Sequence, residues 1–332
     1  MLQKVCVVGV GAIGGWMGAK LAQLPGVQLS GLARGNTLAA LQSQPLQLHS
    51  PAGNLQAAMH ATDNPDELGP QDLVILAVKA TGLAGVAPTL APLLGPQTVV
   101  YTAMNGVPWW YLQGFGGAYA NTPLRSIDPH GHIAQAIPSH HVLGGVVHAS
   151  CATDAPGVVR HAFGQGLIVG EPSGQTTPRA QALHAMLQQA GFDATLSPCI
   201  QRDIWYKLWG NMTVNPVSAL TGATTDRIMN DPLVVDFLSA VMQEAKAIGQ
   251  QLGVAIDQNP HDRHAMTRKL GAFTTSMLQD VKANRPLELD ALVASVYELA
   301  QITGQPAPFT AALLGLARLQ GQTLGLYPSP TP

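Results

Sequence analysis

"KVCVVGVGAIGGWMGAKLA", residues 4–22, is the stretch whose reading decides the fold. Val5 to Val8 form a short apolar, β-branched run, glycines follow at positions 9, 11 and 14, and an alanine-rich helical pattern begins at Ala12. Strand, glycine-rich turn and helix in that order, with Gly9-x-Gly11-x-x-Gly14 at the junction, predict a dinucleotide-binding βα unit. Gly9 permits the tight turn, Gly11 lets a pyrophosphate approach the backbone, and Gly14 allows the helix to pack closely on the strand. The phosphates would rest on the amides of Ala12 and Ile13, which have no carbonyl partner in the first helical turn. A glycine-rich turn with a purely structural role is the alternative.

Working outward, "VQLSGLARG" at 27–35 reads as the second strand. An NAD site places a carboxylate near its end to hold the ribose 2′-hydroxyl. This strand ends instead in Arg34, whose guanidinium can pair with a 2′-phosphate through two parallel hydrogen bonds. NADPH is therefore expected over NADH, with an ordinary surface arginine as the alternative. Leu73 to Val78 is a continuous apolar run, as in a strand covered on both faces of a parallel sheet, and Lys79 stands at its carboxyl end, where ligands of such sheets collect. "QTVVYTAMNGV" brings Asn105-Gly106 to the corresponding end of a further strand, close to nicotinamide or substrate. "VLGGVVHASCA", "GVVRHAFG" and "GLIVGEP" read as three short strands, "RAQALHAMLQQAGF" as a helix and "DATLSP" as a last extended piece.

The composition allows a substantial core. Of 332 residues 46% are apolar and only 11% charged, against roughly 25% charged in an average soluble protein. A net charge of −2 with no charge block argues against nucleic acid or an anionic membrane as partner. No apolar run reaches the ~20 residues of a membrane span. Cys6, Cys151 and Cys199, three and widely spaced, suggest a reducing compartment and no disulfide framework. The histidine pairs His130/His132 and His140/His141 lack a carboxylate or cysteine at ligand spacing, so no metal is expected. Trp109 and Trp110 either wall a substrate cleft or anchor a long loop.

Past residue 197 every long pattern is helical. Asp231-Pro232 starts a helix with Val235, Leu238, Val241, Met242, Ala245, Ile248 and Leu252 on one face, and three more helical patterns follow. The organisation expected is an NADP-binding Rossmann-type domain over 1–197, a helical substrate and catalytic domain over 198–326, and a frayed tail over 327–332. Within "DIWYKLWGNMTVNPVSAL", residues 203–220, Lys207, Asn211 and Asn215 share one helical face. A lysine flanked by Trp205, Tyr206, Leu208 and Trp209 needs water, a partner or a ligand for its ammonium. A snorkelling lysine paired with a carboxylate, and asparagines bonding between helices, are the structural alternatives.

Taken together, the glycine motif with Arg34, Val78-Lys79-Ala80, Asn105-Gly106, "KLWGNMTVN" at 207–215 and "TSMLQDVKANRPLELD" at 275–290 resemble the ketopantoate reductases (2-dehydropantoate 2-reductases) over most of the chain. The resemblance implies a Rossmann-type domain followed by a 6-phosphogluconate dehydrogenase-like helical domain, and reduction of a 2-oxo acid by NADPH. It implies Lys207 as general acid and Asn211 and Asn215 as groups that orient the lysine and hold the substrate. Ser276 becomes a ligand of the substrate carboxylate and Glu288 an acceptor from substrate hydroxyl. Asn105 is placed near the nicotinamide, and Arg34 and Lys79 on the 2′-phosphate. Where the family carries another substrate-binding asparagine this chain has Thr225, so selectivity is expected to be set there and at the Trp109–Trp110 loop. A bulkier 2-oxo acid, or an NADPH-binding regulatory role without turnover, are the alternatives. A cytoplasmic homodimer is expected.

Overall fold

The computed structural model describes residues 2–329 and divides into two compact units. The first comprises residues 1–104, 110–115 and 131–203; the second comprises residues 105–109 and 116–130 with everything from Ile204 onward.

The first unit carries all the strands: β1 (Lys4–Val8), β2 (Gln28–Leu32), β3 (Leu46–His49), β4 (Leu55–Ala57), β5 (His60–Thr62), β6 (Gln71–Leu76), β7 (Leu94–Thr102), β8 (Val142–Ala155), β9 (Val158–Gly170) and β10 (Asp193–Leu196). They form one sheet in the order β4-β3-β9-β8-β7-β6-β1-β2-β5, with β10 against β9. The parallel neighbours β5, β2, β1, β6, β7 and β8 follow the doubly wound order 3-2-1-4-5-6, confirming the Rossmann-type reading. β1 and β6 lie at its centre. Val5 to Val8 and Leu73 to Leu76 are fully buried, as expected for strands with both faces covered. The helix Ala12–Leu21 packs its Trp16, Met17, Ala19 and Leu21 into the same core.

Two features differ from the sequence reading. The three short strands expected after residue 141 are two long ones, β8 and β9, paired antiparallel as a hairpin. Gly164, read as a strand end, lies inside β9 near a register shift at His148/Ser150. A Cβ there would sit 2.5 Å from the His148 carbonyl oxygen. A glycine in a strand marked a bulge, not a turn. Residues 36–70, unassigned from sequence, hold most of a helix (Gly35–Ser43), the β3–β4 hairpin and β5. Strands of three or four residues are too short to show a period.

The second unit is helical: Ile200–Thr221, which enters it at Ile204, then Thr225–Asn230, Pro232–Gln251, Pro260–Arg268, Ser276–Lys282, Ser295–Thr303 and Pro308–Thr323, with a π-helical turn at Asp290–Ala294. Asp231 caps the third of these by accepting from the Leu233 and Val234 amides, with Pro232 at the first position. Ala307 offers the last helix no side-chain cap, and the Glu244 carboxylate substitutes, accepting from the amides of Phe309 and Thr310 at 2.9 and 2.8 Å. Ile200–Thr221 runs unbroken through Pro216. Its Trp205 and Trp209 indoles donate to the Ala245 and Met242 carbonyls, anchoring that face on Pro232–Gln251. Lys207, roughly 200° further round the helix from Trp205, faces away from that contact. Tyr327, at the start of the expected tail, donates to Asp290 at 2.6 Å, and residues 330–332 lie outside the described residues.

Candidate active site

In the first unit the carboxyl ends of β1, β2, β5 and β6 surround a cavity of about 450 Å³ at the point where the strand order reverses. Gly9, Gly11, Arg34 and Lys79 line it; Ala12, Ile13 and Gly14 do not. The three glycines have different physical reasons. A Cβ at Gly9 would lie 3.0 Å from the Val78 amide nitrogen, and one at Gly14 would lie 2.2 Å from the Gly9 carbonyl oxygen, so the protein itself excludes side chains there. At Gly11 a Cβ would meet nothing within 4 Å. The space it leaves opens on the cavity, which fits a group approaching the backbone from outside. Arg34 and Lys79 are exposed on the cavity wall, each immediately before a helix. The shape and lining suit a dinucleotide, with two cations on the rim.

Asp63, Thr37 and Thr81 also line the cavity and were missed from sequence. Asp63 follows β5, the third strand of the parallel order, and its three residues gave no signal.

The remaining predicted residues lie in the second unit. Lys207 is half-buried, and its Nζ donates to Asn105 Oδ1 at 2.7 Å. Burial of the ammonium pulls its pKa from 10.5 down to about 8; the Glu288 carboxylate opposes this and the Arg263 guanidinium adds to it. Burial is the larger effect, so the net shift is downward. Asn105 is held by its successors. Gly106 takes φ +83°, and the Val107 amide donates to the Ala291 carbonyl at 2.8 Å. Ala291 lies in the π-helical turn that begins two residues after Glu288. Such turns are rare but frequent at functional sites, and here the turn that anchors Asn105 follows closely on Glu288.

Asn211 stands one turn beyond Lys207 without a hydrogen-bond partner among the described residues. Asn215, a further turn on, is 9% exposed and donates to Ser276 Oγ at 3.5 Å. Ser276 is exposed and opens a helix capped by Thr275. The fold therefore gathers Lys207, Asn105 and Glu288 at one end of the stripe and Asn215 with Ser276 at the other.

The positions at which selectivity is expected to be set are buried. Trp109 and Trp110 are 2% and 0% exposed, and Trp110 fills the space above Gly144, so this pair anchors its loop. Thr225, 1% exposed, donates to the Gly271 carbonyl at 2.6 Å. Among the described residues no three His, Cys, Asp or Glu side chains are grouped to hold a metal, and no helix is long and apolar enough to cross a membrane.

A dinucleotide cradle of Rossmann order and a helical unit carrying a lysine of lowered pKa describe a two-unit α/β dehydrogenase. Family models of the ketopantoate reductases (PanE/ApbA) match residues 5–174, and those of their C-terminal domain match 199–320. A 2-dehydropantoate 2-reductase of Mesorhizobium japonicum is 41% identical over 98% of this chain and 99% of its own. A crystal structure assigned to the ketopantoate reductases, from Ralstonia solanacearum MolK2, is 53% identical with a TM-score of 0.95, covering 98% of this chain and 100% of the other. The 2-dehydropantoate 2-reductase of Geobacter metallireducens superposes with a TM-score of 0.82 at 25% identity, over 95% and 99% of the two chains. The chain belongs to the ketopantoate reductase family, and it is an oxidoreductase of that type.

Proposed function

We propose that this enzyme reduces a 2-oxo acid with NADPH, with 2-dehydropantoate as first substrate and (R)-pantoate as product. The observation that carries the reading is Lys207, hydrogen-bonded to Asn105 with a pKa near 8. The 41% identity to a 2-dehydropantoate 2-reductase supports the substrate. Gly9, Gly11, Arg34 and Lys79 would hold the dinucleotide, with the two cations on the 2′-phosphate that distinguishes NADPH. When bound, the reduced nicotinamide supplies the hydride.

Everything else is the work of the chain. As the carbonyl carbon accepts hydride, negative charge grows on its oxygen, and a cationic donor at hydrogen-bond distance lowers that barrier. Lys207 gives its proton to this oxygen, forming the alcohol, and recovers one from water. A pKa near 8 leaves it charged at pH 7 yet a better acid than a free lysine. Asn105 fixes the ammonium, Glu288 accepts from substrate hydroxyl, and Asn211, Asn215 and Ser276 bind the substrate's polar groups.

The test is oxidation of NADPH, followed by absorbance, with 2-dehydropantoate and a panel of other 2-oxo acids, for wild type and Lys207→Ala. Turnover of 2-dehydropantoate lost in the variant, with NADPH affinity retained, is expected. Turnover of another 2-oxo acid alone would move the substrate assignment, and no turnover on any would overturn the reading. We also infer a homodimer in a reducing, cytoplasmic setting. The exposed Leu316 and Leu319 on the last helix support self-association, and the three unpaired cysteines support the compartment. Analytical ultracentrifugation tests the first.

A further inference from the structure

Arg263 lies in the helix Pro260–Arg268, whose start is fixed by a capping box between Asn259 and Asp262. Its side chain lies across Ile200–Thr221 at Gly210. A Cβ on that glycine would sit 2.6 Å from both Nε and Nη2 and 3.0 Å from Cζ, so the Nε/Nη2 edge of the guanidinium abuts bare backbone and Nη1 is turned away from it. Tyr206, one turn earlier, covers it from the side with its ring centroid 5.2 Å away, and is itself pinned by a hydrogen bond to Gln258 at 2.8 Å. The guanidinium is half-buried and has no hydrogen-bond or ion-pair partner among the described residues. It is also close enough to Lys207 for its charge to be felt there.

Glu288 already stands by the Lys207 ammonium, whereas the Arg263 guanidinium, with five donors and no acceptor, has no anion of its own among the described residues. A 2-oxo acid brings such an anion one bond from the ketone. The group that binds its carboxylate must therefore neighbour the group that protonates its carbonyl. Gly210 is three residues from Lys207, about 4.5 Å along the helix axis, whereas Asn215 and its partner Ser276 lie eight residues on, about 12 Å. On that geometry we propose that Arg263, seated on Gly210, binds the carboxylate of the 2-oxo acid and sets the preference for acids over neutral ketones, leaving Ser276 to the far end of the substrate. This rests on the proposed 2-oxo acid reduction. Planar, bidentate recognition of a carboxylate is the task for which a preorganised guanidinium is suited and a lysine is not.

The experiment compares a 2-oxo acid that is turned over with its methyl ester, using wild type, R263Q, R263K and G210A. In R263Q the KM for the acid should rise about 10- to 100-fold, the loss expected for a charge-assisted hydrogen-bonding partner, while KM for the ester stays within about 3-fold. R263K should recover only part of the loss. G210A, which pushes the guanidinium off its seat while keeping its charge, should raise the acid KM alone. Unchanged melting temperature and NADPH affinity show that the variants are folded. Equal effects on acid and ester, or no effect on KM, would overturn the proposal. Should wild type turn over no 2-oxo acid, calorimetric titration of the NADPH-loaded protein with 2-dehydropantoate decides separately. Binding weakened in R263Q would support the subsite while the activity assignment fails; no binding, or binding equal in both proteins, would overturn it.

Discussion

Glu288→Gln should move the alkaline limb of the reductase pH profile downward. Lys207 must be protonated to act as donor, so activity is full below its pKa and falls tenfold per unit above it. With the value at about 8, some 90% of the lysine is protonated at pH 7 and roughly 9% at pH 9. Glu288 is the one group that holds this value up. An opposite charge within about 4–6 Å shifts a pKa by about 1–3 units, and the lower end applies to a carboxylate that is half-buried. Removing the charge should thus bring the lysine to about 7, with roughly half of it protonated at pH 7 and about 1% at pH 9. The protonation loss alone is about 2-fold at pH 7 and about 9-fold at pH 9. Any lost contact with the substrate would scale all rates alike and leave the limb in place. The assay is kcat for NADPH oxidation from about pH 6 to 10, at saturating substrate. Arg263→Gln should shift the same limb the other way, because a neighbouring cation is withdrawn. A limb in Glu288→Gln that is unmoved, or displaced to higher pH, would refute the balance of burial and charge assigned to Lys207.

Gly11→Ala should leave the melting temperature unchanged, since its Cβ meets nothing in the protein, yet weaken NADPH in fluorescence titration about 10-fold or more. Retained affinity would show that no phosphate approaches there. Arg34→Ala should weaken NADPH about 10- to 100-fold and NADH by less than about 3-fold, measured as Kd for each; equal losses would remove the 2′-phosphate from its partner. Gly106→Ala combines φ +83° with a Cβ placed 2.4 Å from the Ala291 carbonyl oxygen. It should lower stability by about 1–3 kcal/mol in chemical denaturation and reduce kcat through displacement of Asn105. A fully active, equally stable variant would sever the link between the π-helical turn and the lysine.

The local chemistry of this protein was written in short sequence patterns. Gly9-x-Gly11-x-x-Gly14 between a β-branched run and an alanine-rich run specifies strand, turn and helix because each glycine answers a local steric need. The apolar run Leu73–Leu76 announces a covered strand for the same kind of reason. The spacing of Lys207, Asn211 and Asn215 needs only the helical period to share one face. What escaped the sequence is what depends on segments far apart in the chain. Asp63 reaches the nucleotide cavity from a strand too short to carry a period. The burial of Trp109, Trp110 and Thr225 is likewise decided by packing that no local pattern shows. Asn105 meets Lys207 across 102 residues, and Arg263 meets Gly210 across two intervening helices. The pKa of that lysine is likewise a tertiary quantity. Residue types and spacings name the groups that can react, but desolvation and the charges standing nearby set the proton affinity of Lys207, and only the folded packing determines both.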